Sequence, residues 1–559
     1  MLGAPADSFL LLATAAIATH LWFKTHEPAS FAPIYLAVLG IPALPTFILS
    51  HHVASPVYAV LIAYPSFYAL VLLSITLYRL SPFHPLARYP GPTIAKVSKL
   101  WTVWMSLDGK LPQYYKKLHE QYGSIVRVGP NEISVGDKDL LPFIIGAQGM
   151  PKGPLWEGRI TPKKNPGSFN LINTRDLSHH AQLRKTWNRA FADEPLSDYR
   201  EIWIRNVEVF MGELEKQCAA GGGYGVLDVA RSINLFLFDF MGDLAFGADF
   251  DVQHSNDKLG LQANMEKALF VPALTMQVPW SAPIFRAFPS LSEAMRDFVA
   301  FAAECAKSRA SSESRKDLFY YLMSNTEQIP PDAVFPFLVS NSVMAIVAGS
   351  DTTASVLCNA IYYLLSNSND LRRLIAEIEE FFPGTRNSTV TNIDTAKLAD
   401  MTWLNAVINE TLRLQPPVPS SIQRAPASGS GGKMMGPHFI KEGTSVVVST
   451  YVIHRDPRYF SPNPDKFWPT RWLNDKRANN VTALETTAFI PFSLGQANCV
   501  GKRLAIFELQ YVLVLLFSRY EISFAPEWDQ GEWEMGLKDR LVLVKDRLMV
   551  EMKVRSYPG

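Results

Sequence analysis

From Phe9 to Tyr78 apolar residues run in three long blocks, and the spacing of charge around them sets the first boundary. The blocks are Phe9–Phe23, Phe31–Ser50 and Val53–Tyr78, and no Asp, Glu, Lys or Arg stands between Glu27 and Arg79. The second and third are long enough to cross a hydrocarbon core, which takes about 20 helical residues. The first is shorter and reads as a span, an interfacial anchor or the apolar part of a signal peptide. Asp7 is the sole charged side chain before it, which argues against a cleaved signal. Arg79, Arg88, Lys96 and Lys99 follow the third block. The positive-inside rule then puts everything after residue 80 in the cytosol. Three spans would leave the N-terminus lumenal; two would leave it cytosolic.

The pattern changes at Ser81. Ser81–Pro92 holds four prolines and reads as a stiff, non-helical linker. From Ala95 onward the apolar positions recur with a helical period. Leu111–Tyr122, His180–Phe191, Ile202–Ala219, Leu227–Phe246, Leu291–Arg309 and Leu371–Phe382 predict helices. Pro336–Leu365 predicts one long apolar helix of roughly 45 Å that crosses the whole domain. Short strand patterns stand at Ile125–Val128, Glu132–Val135 and Ser445–Ser449, and Gly221–Gly225 reads as a loop between helices. The expected organisation is an anchor over 1–80, a linker over 81–92 and one mainly α domain with a small β region over 93–559.

Bulk composition narrows the function. Lys and Arg total 53 against 52 Asp and Glu, so the net charge of +1 offers no electrostatic case for nucleic acid. The four cysteines, Cys218, Cys305, Cys358 and Cys499, are far apart with no CxxC pair, which suits a reducing compartment. Two lookalikes fail. His454-Arg455-Asp456 lacks the Asn and Gly-rich loop of a kinase. Gly429–Lys433 lacks the phosphate-loop spacing.

Candidate chemistry concentrates in four places. Cys499 sits in Phe492-Ser493-Leu494-Gly495-Gln496-Ala497-Asn498-Cys499-Val500-Gly501, just before an apolar helical run. A helix N-terminus favours a thiolate, and Gly495 and Gly501 let the backbone fold tightly around the sulfur. A thiolate so held is a good iron ligand. The bland alternative is a buried structural cysteine. The long apolar helix carries Ala348-Gly349-Ser350-Asp351-Thr352-Thr353. Gly349 weakens the helix, and Thr352 can bond the Ala348 carbonyl. An acid beside an alcohol there suits proton delivery to dioxygen; the alternative is a kink with a solvated Asp. Glu410-Thr411-Leu412-Arg413 places two opposite charges on one helix face, alone an ordinary surface pair. Arg471, flanked by Trp468 and Trp472, reads as a buried cation that needs a carboxylate. His180, Arg184 and Arg424 could bind an anionic cofactor edge or be solvated charges.

These motifs stand in a telling order: Gly-x-Asp-Thr-Thr, Glu-x-x-Arg, Pro-x-Arg-Trp, then Phe-x-x-Gly-x-x-x-Cys-x-Gly. From Pro82 onward the chain resembles a cytochrome P450, of a fungal microsomal style. The resemblance implies that Cys499 is the proximal ligand of a haem b iron and that Phe492 screens its sulfur. It implies that Asp351 and Thr352 are the acid–alcohol pair serving O–O cleavage. Glu410, Arg413 and Arg471 would form a buried network, and Arg184, His180 and Arg424 would bind the haem propionates. The family usually has Arg or His two residues before the Cys; here that position is Ala497, so one clamp is absent or replaced by Gln496, Asn498 or water.

The implied function is insertion of one oxygen atom of O2 into a lipophilic small molecule, with terpenoid secondary metabolism as one expectation. Electrons would come from NADPH through a separate NADPH-cytochrome P450 reductase, since no flavin or nicotinamide motif is present. The implied location is the endoplasmic reticulum membrane, with the catalytic domain cytosolic. Two alternatives stay open: a haem-thiolate isomerase or dehydratase without reductase, and a non-catalytic membrane haem protein. Residues that would choose the substrate are expected in Ser134–Asn173 and Leu261–Leu291.

Overall fold

The computed structural model describes residues 5–26, 31–159, 169–312, 315–324, 326, 329–383, 393–473 and 481–555. The chain divides into two compact units: Met1–Lys99 with Arg127–Asn131, and Leu100–Val126 with Glu132–Gly559.

In the first unit the apolar blocks are helical. Pro5–Thr25, Ile41–Ser50 and Pro56–Leu80 pack around Leu12, Ala16, Leu49, Ala59, Ala63 and Phe67. Three of those six are alanines, so the backbones approach closely. Leu10, Leu21, Leu44, Phe47, Leu61 and Leu72 point outward and are exposed. Such a surface belongs in lipid rather than water. Asp7–Thr25, Pro33–Ser50 and Pro56–Leu80 are each long and apolar enough to cross a membrane. The second block is not one regular helix, because a π-helical turn over Leu36–Gly40 joins its two α-helical parts. The expected linker lies inside this unit and forms turns until a short helix at Thr93–Val97. Arg127 is buried here and donates to the carbonyls of Arg79 at 3.0 Å and Pro130 at 2.9 Å.

The second unit is built around one helix, Pro331–Ser366, of 36 residues. It is also long and apolar enough to span a membrane, but its apolar surface is used inside the protein. From Asn341 to Ile361 every residue is buried except Val343, Ala348, Gly349 and Thr352. The helix begins five residues before the expected Pro336, because Pro331 takes the first helical position and Pro336 is absorbed within the helix. Helices Leu177–Ala190, Asp193–Ala220, Val229–Phe246 and Pro289–Ala310 surround it with Thr402–Leu414 and Lys502–Arg519. The chain is 62% helical, and its sheets are small.

The strand Ser445–Val448 pairs in parallel with Glu132–Val135 and antiparallel with Ile422–Arg424. A second sheet corrects the expected helix Leu227–Phe246. Its first two residues belong to a strand, Tyr224–Asp228, which pairs with Met549–Val554. Asp228 ends that strand and caps the helix, accepting from the amides of Ala230 and Arg231 at 3.1 and 3.3 Å. The Gly221–Gly225 loop therefore turns into an edge strand rather than directly into a helix.

Candidate active site

The cysteine loop is held by backbone. The Cys499 amide donates to the Phe492 carbonyl at 2.9 Å. Gly495 has φ +66°, and a Cβ there would lie 2.4 Å from the backbone of Ile145 and Gly146. Glycine is required at 495 on both counts. Gly501 has ordinary backbone angles and room for a side chain. Its part is its N–H, which hydrogen-bonds Cys499.

Cys499 is packed among protein groups on most sides, yet its side chain is accessible, whereas Cys218 and Cys358 are buried. Burial pushes the Cys499 thiol up, while the Gly501 N–H, Arg184 and Lys502 pull it down and do not prevail. A bound metal ion deprotonates such a thiol outright.

On the central helix, Ala348, Gly349 and Thr352 form the accessible face within an otherwise buried stretch. Thr352 Oγ1 donates to the Ala348 carbonyl at 2.6 Å, as its sequence position implied. Asp351 is buried, not solvated, and burial pushes its carboxyl up to about 6. The small residue at 349 serves packing as well, because a Cβ there would lie 2.5 Å from the sulfur of Met241. Thr353 points the other way and donates to Glu508 at 2.8 Å. Glu508 is fully buried on the helix that follows Cys499, and burial pushes its carboxyl up to about 8. Sequence reasoning passed over Glu508; the signal was one acid inside the apolar run Leu504–Phe517.

Glu410, Arg413 and Arg471 come together with no exposure at all. Arg413 engages both carboxylate oxygens at 2.8 and 2.9 Å, and Arg471 approaches both at 3.0 and 3.1 Å. The Trp472 indole and the Trp468 amide each add a bond of 2.9 Å. Burial alone would raise the Glu410 carboxyl; the two arginines and the indole hold it below its usual range. The surface-pair alternative for Glu410 and Arg413 is excluded. Arg413 also donates to the His454 carbonyl at 2.7 Å, so the network ties Thr402–Leu414 to the segment before the cysteine loop.

Lys152, His180, Arg424, Lys433, Gln496 and Ala497 line one cavity. His180 is not a cation there: burial, then Lys152, Arg184 and Arg424, pushes its ring down to about 3. Arg184 turns to the loop instead, donating to the carbonyl of Asn498 at 2.5 Å and to its side chain at 2.6 Å. Arg424 is buried and donates to its neighbour's carbonyl at 3.0 Å. Among the described residues no carboxylate pairs with Lys152, Arg184 or Arg424. Burying cations without a counter-ion is costly. The site therefore fits a bound dianion such as a haem edge, next to an accessible thiol.

A family model described as Cytochrome P450 matches residues 90–552. The chain is 30% identical to Cytochrome P450 67 of Uromyces fabae, over 96% of this chain and 97% of that protein. It is 30% identical to the cytochrome P450 monooxygenase FCK2 of Fusarium pseudograminearum, over 87% and 85%. It is 31% identical to the cytochrome P450 monooxygenase notG' of Aspergillus versicolor, over 88% and 86%. The chain belongs to the cytochrome P450 family, as a membrane-associated haem-thiolate monooxygenase.

Proposed function

We propose that this enzyme inserts one oxygen atom of O2 into a lipophilic small molecule, using electrons passed from NADPH by a separate NADPH-cytochrome P450 reductase. The cofactor is haem b and the membrane is the endoplasmic reticulum, with the catalytic unit facing the cytosol. A terpenoid of fungal secondary metabolism is the substrate class we would try first. The observation that carries the reading is an accessible Cys499 just before one helix and the accessible Ala348, Gly349 and Thr352 on another, the two helices being joined by Thr353 and Glu508.

Cys499 Sγ would hold the iron, with Gly501 N–H directed at the sulfur and Arg184 fixing Asn498 beside it. When bound, the haem supplies the reductive activation of O2 and the transfer of oxygen. The chain's part is proton handling and exclusion of water. Thr352 Oγ1 spends its proton on the Ala348 carbonyl and keeps lone pairs open to the accessible side. Asp351, behind it and buried, can take up and release a proton near neutral pH. The intact pair favours oxygenation over isomerisation or dehydration. Of the expected substrate-choosing segments, residues 160–168 lie outside the described residues. The helix Leu261–Thr275 carries the first half of the second.

The test is reconstitution of the full-length protein with haem, reductase and NADPH, screened over apolar compounds by substrate-induced spectral shift. Oxygenated product that requires NADPH and reductase supports the reading. Product formed without reductase, or no thiolate-type absorption of the reduced CO form, overturns it.

A further inference from the structure

The absent cation at position 497 leaves a question that the cavity answers. Of the expected substitutes, Gln496 is engaged with the Ala147 carbonyl at 2.8 Å, and the Asn498 side chain accepts from Arg184. Each amide can still offer an N–H, but neither carries the positive charge of an Arg or a protonated His. Lys152 lines the same cavity as Ala497 and is buried. Its backbone is fixed against the strand Ile422–Arg424 from both sides. The Gly153 amide donates to the Gln423 carbonyl at 3.1 Å, and the Ala425 amide to the Pro151 carbonyl at 3.1 Å. Lys152 and Arg424 thereby form a bridge pair, one beside the other. Gly153 permits the approach, since a Cβ there would lie 2.3 Å from the Gln423 side chain. Burial, then Arg424 and Arg184, push the Lys152 amine well below its usual range, and an anion beside it would restore the charge and all three donors of the ammonium. One meets the Leu171 carbonyl, and no carboxylate meets the others among the described residues.

We propose that Lys152, clamped beside Arg424, supplies the haem-propionate contact that Ala497 cannot make. The inference rests on the haem-thiolate reading above. It assigns the charge to a segment more than 300 positions away in sequence from the cysteine loop, and so makes that segment a positioning element for the cofactor.

The experiment compares wild type with Lys152→Met, Lys152→Gln and Lys152→Arg, each as the full chain. Haem loss is followed by transfer to excess apomyoglobin. Each protein is reconstituted either with haem or with haem whose propionates are methyl esters. With ordinary haem, Lys152→Met and Lys152→Gln should lose the group about ten- to a hundredfold faster, the range for one charged hydrogen bond, and Lys152→Arg should lie close to wild type. With the diester the differences should collapse. A second readout is the reduction potential, which should fall in the neutral variants with ordinary haem. Equal acceleration with haem and diester would overturn the proposal, because Lys152 would then act on the polypeptide. Failure of both neutral variants to fold without haem, where Lys152→Arg folds, would overturn it for the same reason. A wild type that binds no haem as a thiolate complex would sink the parent reading instead, and is seen before any variant is made.

Discussion

Thr353 Oγ1 donates to Glu508 at 2.8 Å, and this one bond fastens the central helix to the helix that carries the cysteine loop. Its partner is a carboxyl fully buried among apolar residues, pushed by burial up to about 8 from 4.5. A raised acid pKa means that the folded chain binds a proton the unfolded chain releases. That contribution is full below about pH 4.5 and is lost progressively as pH rises toward 8. Glu508→Gln keeps the shape and the acceptor without a charge to bury. Its stability relative to wild type should improve steadily between pH 5 and 8, by up to a few kcal/mol. Thermal melts at several pH values would show it. A difference that does not change with pH would mean that Glu508 is already ionised in the fold.

The neighbouring hydroxyl should behave differently. Thr352 lies on the accessible face and Thr353 on the buried one. Thr352→Ala should retain haem and substrate binding while product per NADPH falls several-fold and hydrogen peroxide rises. Thr353→Val should leave that ratio near wild type and lower stability by about 1 kcal/mol or more, the cost of a lost buried bond. Peroxide assays beside product quantitation separate the two. If the ratios respond the other way round, the assignment of faces is wrong.

The Glu410 network allows a sharper stability test. Arg413 and Arg471 are wholly buried and converge on one carboxylate. Removing that acid leaves two cations with no ion partner. Glu410→Ala should therefore cost about 3–5 kcal/mol or abolish folding. Trp472→Phe removes one indole bond of 2.9 Å and should cost about 1–2 kcal/mol. Denaturation of both variants in parallel gives the comparison; near-equal losses would mean the charges matter no more than the indole.

How far these features could be read from sequence depended on whether one short stretch was enough. The apolar blocks before residue 80 and the helix Leu111–Tyr122 follow from local period alone, and the latter has the expected ends. Asp351, Glu410, Arg413, Arg471 and Cys499 were nameable because each sits in a short motif. Lys152 was not, because its meaning lies in the chain that pairs with it, and nothing near position 152 announces residue 424. The start of the central helix was misplaced because a proline inside a helix is normally read as its beginning. The strand at Tyr224 was missed because its partner lies at the other end of the chain.

The membrane unit yields a prediction about where it can be cut. Arg79 accepts a bond from the buried Arg127 at its carbonyl, and its own guanidinium donates to the Val97 carbonyl at 2.6 Å. A chain lacking residues 1–75 keeps both contacts; one lacking residues 1–80 loses both. Leaving a buried donor unpaired costs about 1–3 kcal/mol. The shorter truncation should give the higher melting temperature and the greater yield of haem-loaded protein. Equal behaviour would show that these contacts do not support the rest of the fold.

The last prediction concerns the partner that delivers electrons. Arg184 turns inward to Asn498, which leaves the next residue, Lys185, exposed on the same helix. Arg503, four residues past Cys499, is exposed too and pairs with exposed Asp193. A pair so open to water is worth little, so Arg503 retains most of its long-range field. Both cations stand on helices that flank the cysteine loop, on a protein whose net charge is only +1. A local patch of this kind steers an acidic partner, chiefly by raising the association rate. Lys185→Glu with Arg503→Glu should slow reductase-driven turnover several-fold at low salt. The deficit should shrink as salt is raised toward 0.5 M, because screening removes the field from both forms. Turnover driven by hydrogen peroxide bypasses the reductase and should be spared. If both routes fall together at every salt concentration, the two cations support the cysteine loop and not a docking surface.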